Sequence, residues 1–199
     1  MTGVSGLVTF VLGLFFGAVL FLTSPDQILQ NRAIHALLSA IANVARAIPF
    51  IILIVLLIPF TKAVVGTILG VNAALPALIV GAVPFYARLV EIAFRDVDKG
   101  VIEATRSMGG STGTIVLRVL IPESLPALIS GITVTLIALV SYTAMAGVIG
   151  AGGLGNLAYL EGFQRNHADV TLAATIIILV IVFAIQFGGD VLTREVDKR

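Results

Sequence analysis

The 199-residue sequence has no cysteine and no tryptophan, and only 12% of its residues are charged. Without cysteine there is neither a disulfide nor a thiolate metal site. Twelve Lys and Arg against eleven Asp and Glu leave a net charge of +1, which offers no basic surface to nucleic acid. No GxxxxGK[ST] stretch occurs, so the chain holds no P-loop for ATP. Serine, histidine and acid are nowhere arranged for nucleophilic catalysis, and no carboxylates pair for acid–base work. No catalytic residue, cofactor or metal is assigned. What fills the chain is hydrocarbon: 58% of residues are hydrophobic and the mean hydropathy is +1.11. A soluble fold of this length could not bury that much apolar surface, so the class is a polytopic all-α membrane protein.

Charge-free windows delimit the spans. Met1–Pro25, Ala63–Ala87, Ser124–Leu160 and Val170–Gly189 each hold enough uncharged residues for one crossing of about 20 residues. Ala47–Thr61 is shorter and borrows from Ile41–Ala45, which sets Arg46 about one turn inside the boundary with its stem snorkelling outward. Five spans result, at about 4–23, 38–60, 71–90, 125–149 and 170–190. The first lacks a charged lead and a cleavage site and reads as a retained helix. Its Gly13 and Gly17 form a GxxxG, read as a packing feature and no more. Pro49 kinks or starts the second span, with Arg46 beside it, and Pro59 ends it near the outer surface. Phe85 and Tyr86 suit an interfacial belt, and Arg88 and Glu91 mark the inner end of span three. No ionisable residue sits deep in a span, which counts against a proton- or sodium-driven carrier.

An odd span count puts the termini on opposite sides. With the N-terminus outside and the C-terminus in the cytoplasm, the inner segments hold Arg32, Arg46, Arg88, Arg95, Lys99, Arg106, Arg118, Arg194, Lys198 and Arg199. The outer segments hold only Lys62 and Arg165, a decisive positive-inside bias.

On the inner side lies a polar island between spans three and four, within residues 96–122. Its core, Glu103–Pro122, reads EATRSMGGSTGTIVLRVLIP. Val101, Ile102 and Met108 lie among Lys99, Glu103 and Arg106 at the spacing of a short amphipathic helix. Gly109 and Gly110 stop it. Ser111 or Thr112 caps a second helix with Ile115, Val116, Val119 and Leu120 as its stripe, ended by Pro122. Arg106 and Arg118 are balanced by Glu103 and Glu123, so this is no DNA-reading helix-turn-helix. A compact element of this kind, held just outside the bilayer, is a docking surface for a soluble partner.

Glu103-Ala104-Thr105, Gly109 six residues after Glu103, then Val119 and Ile121-Pro122 closely resemble the EAA signature of type I ABC importer permeases. The resemblance implies that Glu103, Ala104, Thr105, Arg106, Met108, Gly109 and Pro122 couple the chain to a cytoplasmic ATPase. Thr105 and Ile121 depart from the family's Ala and Leu. The two IPF units of IPFIILIVLLIPFTKAVVGT, the stretch GAVPFYARLVE and the GAGGLG at Gly150–Gly155 look most like methionine-importer permeases. GAGGLG also matches the dinucleotide fingerprint, but no strand precedes it and the match is empty. The resemblance implies a homodimer in the bacterial cytoplasmic membrane, two ATP-binding subunits, an extracytoplasmic methionine-binding protein, lipid contact and no nucleic acid. Glycine betaine or another small solute is the alternative cargo, and an ATP-independent channel or secondary carrier the alternative class.

In span four, Ser141, Tyr142, Thr143 and Met145 are read as path or gate residues, the methionine thioether being suited to an apolar amino-acid side chain. The competing reading is that these hydroxyls bond back to their own helix. His167 and Asp169 on the outer loop are too few to hold a metal, and His35 reads as a helix-surface residue.

Overall fold

The computed structural model describes residues 1–197; Lys198 and Arg199, two of the cations counted on the inner side, lie outside the described residues. Eleven α-helical segments follow one another: α1 (Thr2–Thr23), α2 (Arg32–Ala47), α3 (Phe50–Leu56), α4 (Ile58–Val65), α5 (Val71–Arg95), α6 (Lys99–Ser107), α7 (Thr112–Ile115), α8 (Ile121–Glu123), α9 (Leu125–Ala146), α10 (Gly153–Asn156) and α11 (Ala168–Val196). π-helical turns at Val116–Leu120, Gly147–Ala151 and Leu157–Gln164 join some of them. Among the described residues there is no strand. Four helices are long and apolar enough to cross a bilayer: α1, α5, α9 with its extension to Ala151, and α11.

The second expected span differs from its forecast. Residues 38–60 do not form one helix: α2 and α3 meet at a bend of 107°. Pro49 has no N–H to donate and its ring pushes Ile48 out of the helical region, to φ −76 and ψ 123. Arg46 therefore ends α2 at the bend and does not sit within a straight span. Pro59 does not end the span either. It lies in the first turn of α4, after a one-residue break at Leu57, and the helix runs on to Gly66. The pair counts as a fifth span only as a broken one. Span four is followed by α10 and a π-helical run, so its connection to α11 is largely helical.

α5 is the axis of the bundle, with α1 along most of its length. In hydrocarbon, water does not drive helices together, so contact depends on how closely backbones approach. Gly13 and Gly17 supply that approach. A Cβ at Gly13 would stand 2.6 Å from the Tyr86 ring, and one at Gly17 would stand 2.6 Å from the Ala87 carbonyl oxygen. Tyr86 accordingly lies in the core and not in an interfacial belt. It is fully buried between α1 and α9, its hydroxyl donating to the Leu128 carbonyl at 3.3 Å. Two apolar clusters occupy the two ends of the bundle. One joins Phe21, Phe94, Ile102, Ile115, Leu120 and Leu128; the other joins Phe50, Leu53, Ala77, Leu78, Leu139 and Ala146. α11 buries only Ala174 and Gly189 and turns Leu172, Val180, Phe183 and Phe187 outward, as a lipid-facing helix does.

Gly17→Leu should destabilise the folded chain by about 3 kcal/mol, since neither the Val90 branch nor a backbone carbonyl can move aside. Gly3→Leu on the same helix, where a Cβ meets nothing within 4 Å, should be neutral. Thermal unfolding of the two purified variants in detergent checks the contrast.

Candidate functional site

The island between α5 and α9 folds as two short helices on a precise turn. Asp98 caps α6, its Oδ1 accepting from the Gly100 N–H at 2.6 Å. At the other end the Gly110 N–H donates to the Thr105 carbonyl and the Gly109 N–H to the Arg106 carbonyl, both at 3.0 Å. This is a Schellman closure. Gly109 takes φ +82, and Gly110 is needed for a second reason: a Cβ there would stand 2.8 Å from the Thr105 oxygen. Ser111 caps α7 by accepting from the Thr114 N–H at 3.2 Å. Pro122 does not end the second helix. The chain passes through the π-turn Val116–Leu120 ahead of it and continues to Glu123, leaving Ser124 alone between α8 and α9.

The apolar residues of this element divide between two faces. Ile102, Ile115, Val119 and Leu120 enter the core cluster with Phe94 and Val97. Met108, Leu117 and Val101 stay exposed, Met108 at 81%. Glu103, Ala104 and Arg106 share the exposed side of α6 with Met108 and Gly109, while Thr105 is half-buried with its hydroxyl on the Val101 carbonyl. Pro122 is exposed at the far end, beside α9. Leu117 escaped the sequence reading because it falls off the stripe of Ile115, Val116, Val119 and Leu120.

Just before this element, Glu91 is completely enclosed. Its two oxygens accept from Arg88 at 2.6 Å and from Arg95 at 2.5 Å, one helical turn to either side. Glu91 was expected simply to mark the inner boundary; the structure makes it a buried carboxylate clamped by two cations. Its spacing to Arg88 and Arg95 was visible in the sequence, but its burial depends on helices distant in the chain.

The residues singled out in span four do not form one group. Ser141 and Met145, one turn apart, share an open face of α9, and Met145 is 46% exposed. Tyr142 turns elsewhere and stacks on Phe50 of α3, ring centroids 4.5 Å apart. Thr143 faces the cavity between α9 and α11, its hydroxyl bonded back to the Val140 carbonyl at 2.7 Å. Thr133 and Thr135 bond back in the same way. Arg46 and Phe85 line a cavity with Tyr142, and Pro49 makes the bend that brings them there. Sequence spacing held no sign that Arg46 and Tyr142, nearly a hundred residues apart, would meet.

At the opposite end, the Gly147–Gly155 stretch folds the chain back on α9. A Cβ at Gly155 would overlap the Ala144 carbonyl, and Asn156 donates to the Gly147 carbonyl at 3.3 Å. The Gly70 N–H donates to the Gly150 carbonyl, tying this turn to the start of α5. His35 is half-buried and bonds the Leu20 carbonyl at 3.1 Å, joining α2 to α1. Among the described residues no group of three or more His, Asp or Glu is placed to hold a metal.

Removing Glu91 leaves two guanidinium groups facing a buried site. Glu91→Ala should cost about 3 kcal/mol of stability, and Glu91→Gln, which keeps the shape and one acceptor, distinctly less. Chemical denaturation of the purified variants at neutral pH measures both.

The family described as binding-protein-dependent transport system inner membrane component matches residues 9–199. A methionine import system permease protein of Bacillus subtilis is 65% identical over 181 residues, covering 91% of this chain and 82% of that protein. A D-methionine transport system permease protein of Escherichia coli is 47% identical over 199 residues, covering 100% of this chain and 92% of its own length. The inward-facing MetNI methionine ABC transporter superposes on the whole chain and on 92% of its own with a TM-score of 0.97, at 47% identity. This chain belongs to the inner-membrane components of binding-protein-dependent transport systems.

Proposed function

We propose that the chain is the membrane subunit of an ATP-driven importer that carries methionine across the bacterial cytoplasmic membrane by alternating access. Two copies form the path. Two cytoplasmic ATP-binding subunits grip the element at 96–122, and an extracytoplasmic methionine-binding protein delivers the solute on the opposite side. The N-terminus is outside and the C-terminus inside, in keeping with the distribution of Lys and Arg.

The observation that carries this reading is the division of the α6–α8 element. One side is anchored in the core through Ile102, Ile115 and Leu120, while Met108, Leu117 and Val101 stand exposed beside Glu103 and Arg106. Exposed apolar side chains ringed by charge, on a segment with its own capped turn, form a docking face. Its rigid attachment lets a displacement by the partner reach the spans, since only Ser124 separates α8 from α9. Along α9 that displacement reaches Ser141 and Met145, which we assign to the path and its gate. The thioether of Met145 is a soft plug against an apolar amino-acid side chain. The likeness to methionine permeases of two bacteria supports the choice of cargo.

The test is reconstitution in liposomes with the ATP-binding subunits and the delivery protein. Radiolabelled methionine uptake should require both partners and ATP. Glu103→Lys combined with Gly109→Val should lower it at least tenfold, by reversing a charge on the docking face and straining a backbone at φ +82. Gradient-driven uptake by the chain alone, or full uptake by the double variant, would refute the reading.

A further inference from the structure

The cavity beside the bend in the second span has a composition that a packing defect would not have. It holds about 230 Å³ between α2, α3, α5 and α9, and its walls include Arg46, Phe50, Leu53, Gly81, Phe85 and Tyr142. Three of the eight lining residues are aromatic, and Phe50 and Tyr142 lie nearly parallel, their planes 5° apart. Gly81 forms part of the floor: a Cβ there would come within 3.3 Å of Leu53 and 3.5 Å of Phe50, so the absence of a side chain keeps the space open.

Among the described residues, the only ionisable group on this wall besides the Tyr142 phenol is Arg46, an exposed residue at the rim. Among the described residues its guanidinium has no carboxylate partner, in contrast to Arg88, Arg95 and Arg165, each of which is paired. Its place in the last turn of α2 is favourable for a cation near a helix C-terminus. That preference does not account for a bend of 107° that returns the helix end to aromatic rings on three other helices. An unpaired guanidinium beside apolar walls offers a carboxylate a two-pronged, charge-assisted partner. Aromatic rings at the same site offer a thioether a favourable contact.

We infer that this cavity is a solute-binding site of the permease itself, in which Arg46 holds the carboxylate of an apolar amino acid while Phe50, Phe85 and Tyr142 receive its side chain. The inference rests on the proposed methionine transport and adds to it a second point of selection, inside the membrane subunit. A small pocket with aromatic rings on one side and a cation on the other selects by shape at one end and by charge at the other.

The experiment uses the assembled transporter in liposomes with its delivery protein, and compares L-methionine uptake by the unaltered chain, Arg46→Gln and Arg46→Lys. Co-elution with the ATP-binding subunits verifies assembly of each. Arg46→Gln should reduce uptake tenfold or more, and Arg46→Lys, which restores the charge without the fork, should recover part of it. Gly81→Val, which fills the floor and leaves the guanidinium in place, should give a loss comparable to that of Arg46→Gln. This second variant decides the matter if the first does not assemble. Failure of the unaltered transporter to accumulate methionine overturns the methionine reading. Accumulation that Arg46→Gln or an assembled Gly81→Val leaves unchanged overturns the site alone. If exchanging anionic for zwitterionic lipid reproduces the Arg46→Gln loss in the unaltered chain, Arg46 answers to headgroup phosphates and the site is likewise overturned.

Discussion

In hydrocarbon two helices gain little by hiding apolar surface from one another, and what holds them is the number of atoms brought to van der Waals distance. Here that requirement is met where Gly17 of α1 rests on Val90 and the Ala87 carbonyl of α5. Much else depends on this approach. It sets Phe21 edge-on to Phe94, ring centroids 5.8 Å apart, and that pair belongs to the apolar cluster that also receives Ile102, Ile115 and Leu120 from the docking element. Glu91, next in the chain to Val90, is enclosed on the same stretch of α5 and held by arginines on either side. This end of the bundle and the α6–α8 element thus form one packed body.

This continuity has a mechanical meaning for the proposed cycle. An element tied to the spans by a loose loop would absorb the motion of its partner. The Schellman closure at Gly109 and Gly110, the two helix caps and the single residue Ser124 leave little slack. The second span is interrupted instead, at Pro49, which has no N–H to donate, and at Leu57. A stiff input and a hinged span are the two parts an alternating-access device requires.

Some features were legible from residues alone because their causes are local. Gly109 announces a turn, Ser111 announces a helix start, and charge-free windows of sufficient length announce spans. The two short helices between α5 and α9 and the Gly13/Gly17 packing pair were read in this way. Pro122 was misread because proline is tolerated in the first turn of a helix, and a π-turn ahead of it absorbs the disturbance. The break at Pro49 was read from the sequence, but not the 107° size of the bend, because mean hydropathy records length and polarity but not direction.

By itself the chain's composition determined that it is a helical membrane protein, and its local spacing determined that two short helices with a glycine turn stand between α5 and α9. Only the tertiary structure decided that Tyr86 is core and not rim, that Glu91 is enclosed, and that Arg46 stands beside Tyr142 and Phe85. The reason is that capping, turn and span signals are written within a few residues of where they act. Burial and encounter depend on which faces of distant helices pack together, and a one-dimensional pattern does not contain that choice.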